Sequence, residues 1–199
     1  MKTGITGGIG SGKSYVCQRL KTRGITVYDC DAAAKRLMRT SAELRQKLTA
    51  LIGPNTYRFE HGTYELNKAA VAQFLLTSDA NAKAVDDIVH PAVFSDFEKS
   101  GEKWMESAII YESGIYTLVD NVVVVTAPEE LRIQRIMARD SITKEKAIEW
   151  MHRQWPQQQV RQRAHFEIVN DGVCDIDSQI DLLLQKLSKQ ENKQNINKL

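Results

Sequence analysis

The sequence predicts a three-layer α/β protein in which helices cover a parallel sheet that carries a helical insertion and a small lid. Three observations support this. Ala108–Tyr111 and Val122–Val125 are continuous apolar runs, as in parallel strands covered on both faces. Strand-like and helix-like stretches alternate at both ends of the chain. Between them, from Ala32 to Trp104, helix follows helix with no buried strand.

Lys2–Thr6 reads as a first strand leading into a glycine-rich turn, and Ser14–Lys21 as a helix with Val16 and Leu20 four apart. Gly24 closes that helix, and Ile25–Tyr28 has the β-branched and aromatic character of a second strand. Asp29 and Asp31 stand at its C-terminal end. Ala33, Leu37, Leu44, Leu48 and Leu51 recur at helical spacing; Ala69–Leu76 follows, then Ala82–Phe97, which Pro91 is expected to interrupt. Pro54–Tyr64, with His61-Gly62, reads as a turn or small hairpin. Beyond the strand at Val122–Val125, Pro128-Glu129-Glu130 opens a helix to about Ala138. Lys144–Arg163 is a polar helical excursion, Phe166–Val169 a last strand, Asp175–Leu187 a last amphipathic helix, and Ser188–Leu199 a fraying tail.

The 199 residues carry 27 basic and 25 acidic side chains, a formal net charge of +2, with 42% hydrophobic and 26% charged residues. This is globular composition, and it excludes fibrous and wholly disordered chains. The small net charge argues against a dedicated nucleic-acid binder. No apolar run approaches the roughly 20 residues of a membrane span, and the N-terminus lacks a signal-peptide core. Cys17, Cys30 and Cys174 are too few and too widely spaced for a disulfide framework, so reduced thiols in a cytoplasmic protein are expected.

Gly7-Gly8-Ile9-Gly10-Ser11-Gly12-Lys13-Ser14 is a full GxxxxGK[ST] match, set between an expected strand and an expected helix. In such a P-loop, glycines let backbone N–H groups converge on a polyphosphate, and the helix N-terminus adds partial positive charge. Lys13 would reach the β- and γ-phosphates, and the Ser14 hydroxyl would ligate Mg²⁺. Asp29-Cys30-Asp31 lies where open parallel sheets bind ligands, so Asp31 is the candidate base for an attacking hydroxyl and Asp29 its support. Arg132, Arg135 and Arg139 recur at helical spacing ahead of the polar excursion, and one or more of them would fold over phosphates. From Glu129 to His165, eight basic side chains face five acidic ones. For Arg132 a solvated helical face is the preferred reading. His90-Pro91 is a ligand contact or a helix break, and Glu112 faces the cleft or starts a turn. Trp104, Trp150 and Trp155 share no spacing and are read as packing residues.

Thr6–Ser14, the Asp29-x-Asp31 pair, His90-Pro91, Arg135, Arg139-Asp140 and Asn170-Asp171-Gly172 together resemble the dephospho-CoA kinase family, over Thr6 to about Leu187. The resemblance implies a P-loop NTPase-type fold and the last step of coenzyme A synthesis, in which ATP phosphorylates the ribose 3′-hydroxyl of dephospho-CoA. It implies that the loop, with Gly8, Gly10, Ser11, Gly12, Lys13, Ser14 and Tyr15, holds the ATP phosphates. It assigns catalysis to Lys13, Asp31 as general base and Arg139 as lid arginine, and substrate binding to Asp31 and His90. Residues 1–31, 105–138 and 164–199 would form the nucleotide-binding core, 32–104 the CoA-substrate domain and 139–163 the lid. Tyr15, Ala108 and His165 replace the family's usual Thr, Pro and Asp.

The partners implied are ATP and dephospho-CoA, with neither nucleic acid nor membrane, for a monomer or weak homo-oligomer. A nucleoside or nucleotide kinase shares the loop, the lid and the strand-end carboxylate. A GTP-dependent switch is opposed by the lack of any DxxG and by Asn67-Lys68-Ala69-Ala70, which lacks the aspartate of a guanine-reading NKxD.

Overall fold

The computed structural model describes residues 1–60 and 62–196. The chain divides into two compact units, Met1–Tyr28 with Glu102–Leu199, and Asp29–Gly101.

The first unit is built on a sheet of order β2-β5-β1-β6-β7, from Tyr28–Asp29 (β2), Trp104–Glu106 (β5), Thr3–Thr6 (β1), Asn121–Thr126 (β6) and Phe166–Val169 (β7). β1 pairs in parallel with β5 and with β6, and β6 in parallel with β7. Every residue of β1 and β6 is buried. Ile5, Val123, Val125 and Ile168 face Val16 and Leu20 of α1 (Lys13–Lys21) and Ile176, Ile180 and Leu183 of α9 (Ile176–Ile196). Val122 and Val124 point to the opposite face and are equally buried, so no polar alternation marks this strand.

After β6 come α6 (Glu129–Asp140), α7 (Lys144–His152) and α8 (Gln157–Arg163). Ile133, Ile136 and Ala147 form a second cluster there, with Ile9, Ile148, Trp150 and Met151 packed against it. The Thr143 side chain caps α7, accepting from Lys146 N–H.

The second unit contains α2 (Cys30–Thr40), α3 (Ala42–Ile52), the antiparallel hairpin of β3 (Tyr57–Glu60) and β4 (Thr63–Leu66), α4 (Lys68–Thr77) and α5 (Asp79–Ser100). Ser41, Asn67 and Ser78 cap α3, α4 and α5 through side-chain oxygens. His61, at the expected hairpin turn, lies outside the described residues.

Several expectations need correction. The strand assigned to Ala108–Tyr111 is instead β5, and Ala108–Tyr111 forms turns. Burial without strand geometry explains the error: Ile110 is fully buried, and a Cβ at Gly4 would lie 2.4 Å from its Cδ1. Short apolar runs do not separate strands from buried turns by periodicity. The second strand is confined to Tyr28–Asp29. Pro91 does not interrupt its helix; α5 continues through it for 22 residues, with Val85, Val89, Val93 and Phe97 buried. The tail from Ser188 extends α9 to Ile196.

Helices α1 and α9 are also tied by charge. Arg19 and Arg23 both pair with Asp177, and Arg23 reaches Asp181 at 2.8 Å. The hydrogen bond from Arg19 is the main cause holding the Asp177 carboxyl below its ordinary pKa. A lowered carboxyl adds stability above its unfolded value, near 3.9, and that stability is lost as pH falls through the lowered value. Asp177→Asn is therefore expected to lower the melting temperature at pH 7 and to flatten its acid limb. Thermal melts of both proteins from pH 7 to pH 2 check this.

Candidate nucleotide site

The glycine-rich segment leaves β1 at Thr6, in the middle of the sheet, and enters α1 at Lys13. Its backbone is held from behind. Arg132 Nε donates to Ile9 O at 3.0 Å, and Asn170 Nδ2 donates to Ser11 O at 2.8 Å. Arg135 Nη1 reaches Gly10 O at 3.4 Å and Asn170 O at 3.2 Å, while its Nη2 bonds Asn170 Oδ1 at 3.3 Å. Asn170 N–H in turn donates to Thr126 O at 2.7 Å, fixing the residue to the end of β6. With these carbonyls engaged behind the loop, the amides ahead of Tyr15 head α1. Tyr15 and Val16 are the first to bond Gly12 O, and amides before them have no intrahelical acceptor.

Close approach constrains several glycines of the segment, two of them against the anchoring side chains. A Cβ at Gly8 would sit 2.2 Å from Arg132 Nη2. At Gly12, with φ +91°, it would sit 2.0 Å from Asn170 Nδ2. Gly12 is a fixed position of the motif and Gly8 is not; at Gly7, the other fixed glycine, φ is +146° and a Cβ would lie 2.3 Å from Val125 O.

Lys13 opens α1, and its Nζ lies 3.9 Å from Glu106 Oε1, both side chains being largely buried. Glu106 ends β5 beside Ile5 of β1, so a carboxylate stands at the same sheet edge as the loop. Ser14 and Tyr15 are exposed in the first turn of α1. Ser11 turns inward: it is fully buried, and its N–H donates to Gly8 O at 3.0 Å. A cavity of about 550 Å³ adjoins the loop, lined by Gly12, Tyr15, Arg135, Asn170, Gly172 and Ile176 among others. Asp171 turns the chain at its edge, and N–H groups of Cys174 and Val173 hold its carboxyl below the ordinary range.

Arg132 corrects the sequence reading most sharply. It is 6% exposed and not on a solvated face; burial lowers its guanidinium pKa. Arg139 is exposed and paired with its neighbour Asp140 at 2.7 Å. Gln154, between α7 and α8, accepts the Ile9 N–H at 2.8 Å. Glu112 accepts the Trp155 N–H at 3.0 Å, and Trp155 stacks on Tyr111 with Arg163 over both rings.

In the second unit, Asp31 is exposed in the first turn of α2. Asp29 is the N-cap of that helix, accepting from Ala32 N–H at 2.8 Å. His90 lies on α5, 3.6 Å from Asp86 Oδ1 and stacked on Phe94.

Sequence reasoning passed over Glu106 and Gln154. Misplacing the third strand put Glu106 ahead of it, and Gln154 stands among several similar glutamines.

Asn170→Ala removes the amide that anchors Ser11 O and leaves Arg135 a poorer partner. It is expected to cost about 1–3 kcal/mol, the penalty of an unmet buried hydrogen bond. Urea unfolding of the variant beside the parent measures it.

The dephospho-CoA kinase family profile matches residues 1–175. A dephospho-CoA kinase of Bacteroides fragilis is 39% identical over 179 residues, covering 86% of this chain and 85% of its own. One of Chlorobaculum tepidum is 34% identical over 195 residues, covering 92% and 93%. Among solved structures, a Thermus thermophilus protein superposes with a TM-score of 0.76 at 27% identity, covering 94% and 97%. A dephospho-CoA kinase from Campylobacter jejuni matches with a TM-score of 0.66 over 96% and 100%, and at 22% identity it supports the fold alone. A family profile over most of the chain and relatives this similar, on a glycine-rich loop anchored to a parallel sheet, place it in the dephospho-CoA kinase family.

Proposed function

We propose that this chain transfers the γ-phosphoryl group of ATP to the ribose 3′-hydroxyl of dephospho-CoA, giving coenzyme A and ADP. The observation that carries the reading is the loop itself. Its carbonyls are drawn back by Arg132, Arg135 and Asn170, while Lys13 and the first amides of α1 stand at its front, in a member of a family of this activity.

Polyphosphate binding follows from those amides, from the helix N-terminus and from Lys13. The 550 Å³ cavity beside Gly12 and Tyr15 suits the nucleoside part of ATP, its size being typical of small-molecule sites. Asp31 accepts the proton of the acceptor hydroxyl as its oxygen attacks the γ-phosphorus. The bond to the β–γ bridging oxygen breaks and ADP leaves. The Asp29 cap holds the first turn of α2, and so Asp31, in place. His90 and the helices of residues 32–104 take the acceptor. The 139–163 segment closes as a lid, excluding water that would otherwise hydrolyse ATP. Arg139 suits the lid role because its pair with Asp140 is exposed and weak, and is readily exchanged for a phosphate contact.

The Ser14 hydroxyl at the loop and the Glu106 carboxylate nearby are hard oxygen donors that fit Mg²⁺. Among the described residues no three His, Cys, Asp or Glu side chains converge, so the fit is to an ion carried chiefly by phosphate and water. Bound there, Mg²⁺ would neutralise charge on the phosphate oxygens.

The reading extends to the whole molecule. No helix among the described residues is long and apolar enough to cross a membrane, and none of the three cysteines forms a disulfide. The reading includes a cytoplasmic enzyme that acts as a monomer or weak homo-oligomer.

ADP release is the deciding measurement. Dephospho-CoA is expected to stimulate it, whereas adenosine, AMP and CMP are not; equal stimulation by a nucleoside would shift the assignment to a nucleoside kinase. Asp31→Asn should keep ATP binding and lose roughly 10²- to 10⁴-fold in turnover. Turnover near the parent's would remove Asp31 from the role of base.

A further inference from the structure

A second cavity, of about 530 Å³, lies among α6, α7 and α8, lined by Arg132, Gln154 and Trp155 with others. None of its lining residues lines the cavity beside Gly12 and Tyr15, so the two are distinct.

Arg132 is the unusual group in its wall. The side chain is 6% exposed, yet its one hydrogen bond is from Nε to Ile9 O. Its four terminal N–H groups have no acceptor among the described residues. Glu129, in the same wall, offers the guanidinium a charge partner through space but no hydrogen bond, and that carboxylate is exposed. Burying a cation with most of its donors unmet is costly, and an oxyanion entering the cavity would offset that cost. Gln154 adds to the donor set: its Oε1 is engaged by Ile9 N–H, which leaves the Nε2 group to donate. Gln157, by contrast, has both ends bonded to Ala127.

The other charged or titratable groups of the lining are Glu129 and His152, both exposed. Repulsion from Glu129 is screened by solvent, whereas attraction to the buried guanidinium is not. Ile148, Met151 and Trp155 supply an apolar wall. The volume exceeds the needs of a bare ion and falls in the range of small-molecule sites.

Donor count selects the head group. Four guanidinium and two amide N–H groups exceed the four lone-pair sites of a carboxylate and suit the three oxygens of a phosphate. We propose that this cavity binds a phosphate monoester bearing an apolar body, its phosphate held by Arg132 and Gln154 and its body against Ile148, Met151 and Trp155. Through Ile9, whose carbonyl and amide are bonded by those two polar side chains, occupancy would couple α6 and the α7–α8 junction to the nucleotide loop.

The test is calorimetric titration of the full chain, saturated with Mg·ADP, with phenyl phosphate and with benzoate. Phenyl phosphate is expected to bind, and benzoate at least tenfold more weakly. Arg132→Met should weaken phenyl phosphate roughly 10- to 100-fold, as loss of charged hydrogen bonds implies. Ile148→Trp, which fills the apolar wall and leaves Arg132 in place, should weaken it as well, so a folding defect in the first variant does not decide the matter. Absence of binding, unchanged affinity in both variants, tighter binding of benzoate, or displacement of phenyl phosphate by added Mg·ADP would each overturn the proposal.

Discussion

Everything at the candidate nucleotide site depends on the direction in which one short loop presents its peptide groups. A peptide unit offers a donor on one side and an acceptor on the other, and an anion tolerates only the donors. In this chain Arg132, Arg135 and Asn170 take the carbonyls of Ile9, Gly10 and Ser11 from behind. The three come from α6 and from the end of β7, so the loop is shaped by parts of the chain more than 100 residues away. Glycine at positions 8 and 12 is the counterpart of that anchoring, because the anchoring side chains occupy the space a Cβ would need.

The sheet makes this anchoring possible. β1 is central and β6 lies beside it, so the segments that follow these two strands emerge at the same edge and meet. Burial of β1 and β6 on both faces holds the edge firm, and the Asn170 amide bond to Thr126 O carries that firmness into the loop. Ionic contacts at the surface, such as that of Arg139 with Asp140, contribute little by comparison and remain free to exchange.

The glycine-rich loop, the strands at Val122–Val125 and Phe166–Val169 and the helix opened by Pro128-Glu129-Glu130 were readable because each rests on local signals: glycine spacing, short runs rich in β-branched and aromatic residues, and proline with acids at a helix start. What escaped was set by tertiary context. Ala108–Tyr111 is as apolar as a strand because it is buried against Gly4, while the paired residues are the less apolar Trp104-Met105-Glu106. Pro91 would end an isolated helix, yet α5 buries four large side chains around it and carries on. Arg132 has helical spacing with Arg135 and Arg139, and nothing local separates the buried member of that series from the exposed one. Only the position of Gly8 above it does so.

The stack of Trp155 on Tyr111, with Arg163 over both rings, sits where the chain passes from α7 to α8. An indole lying on an aromatic ring and beside a guanidinium emits differently from one in water. Any swing of the α7–α8 segment that separates these rings would therefore change the colour and intensity of the protein's own ultraviolet fluorescence. Motion of the segment can be followed during turnover without attaching a dye, provided Trp104 and Trp150 are replaced to leave Trp155 as the sole emitter.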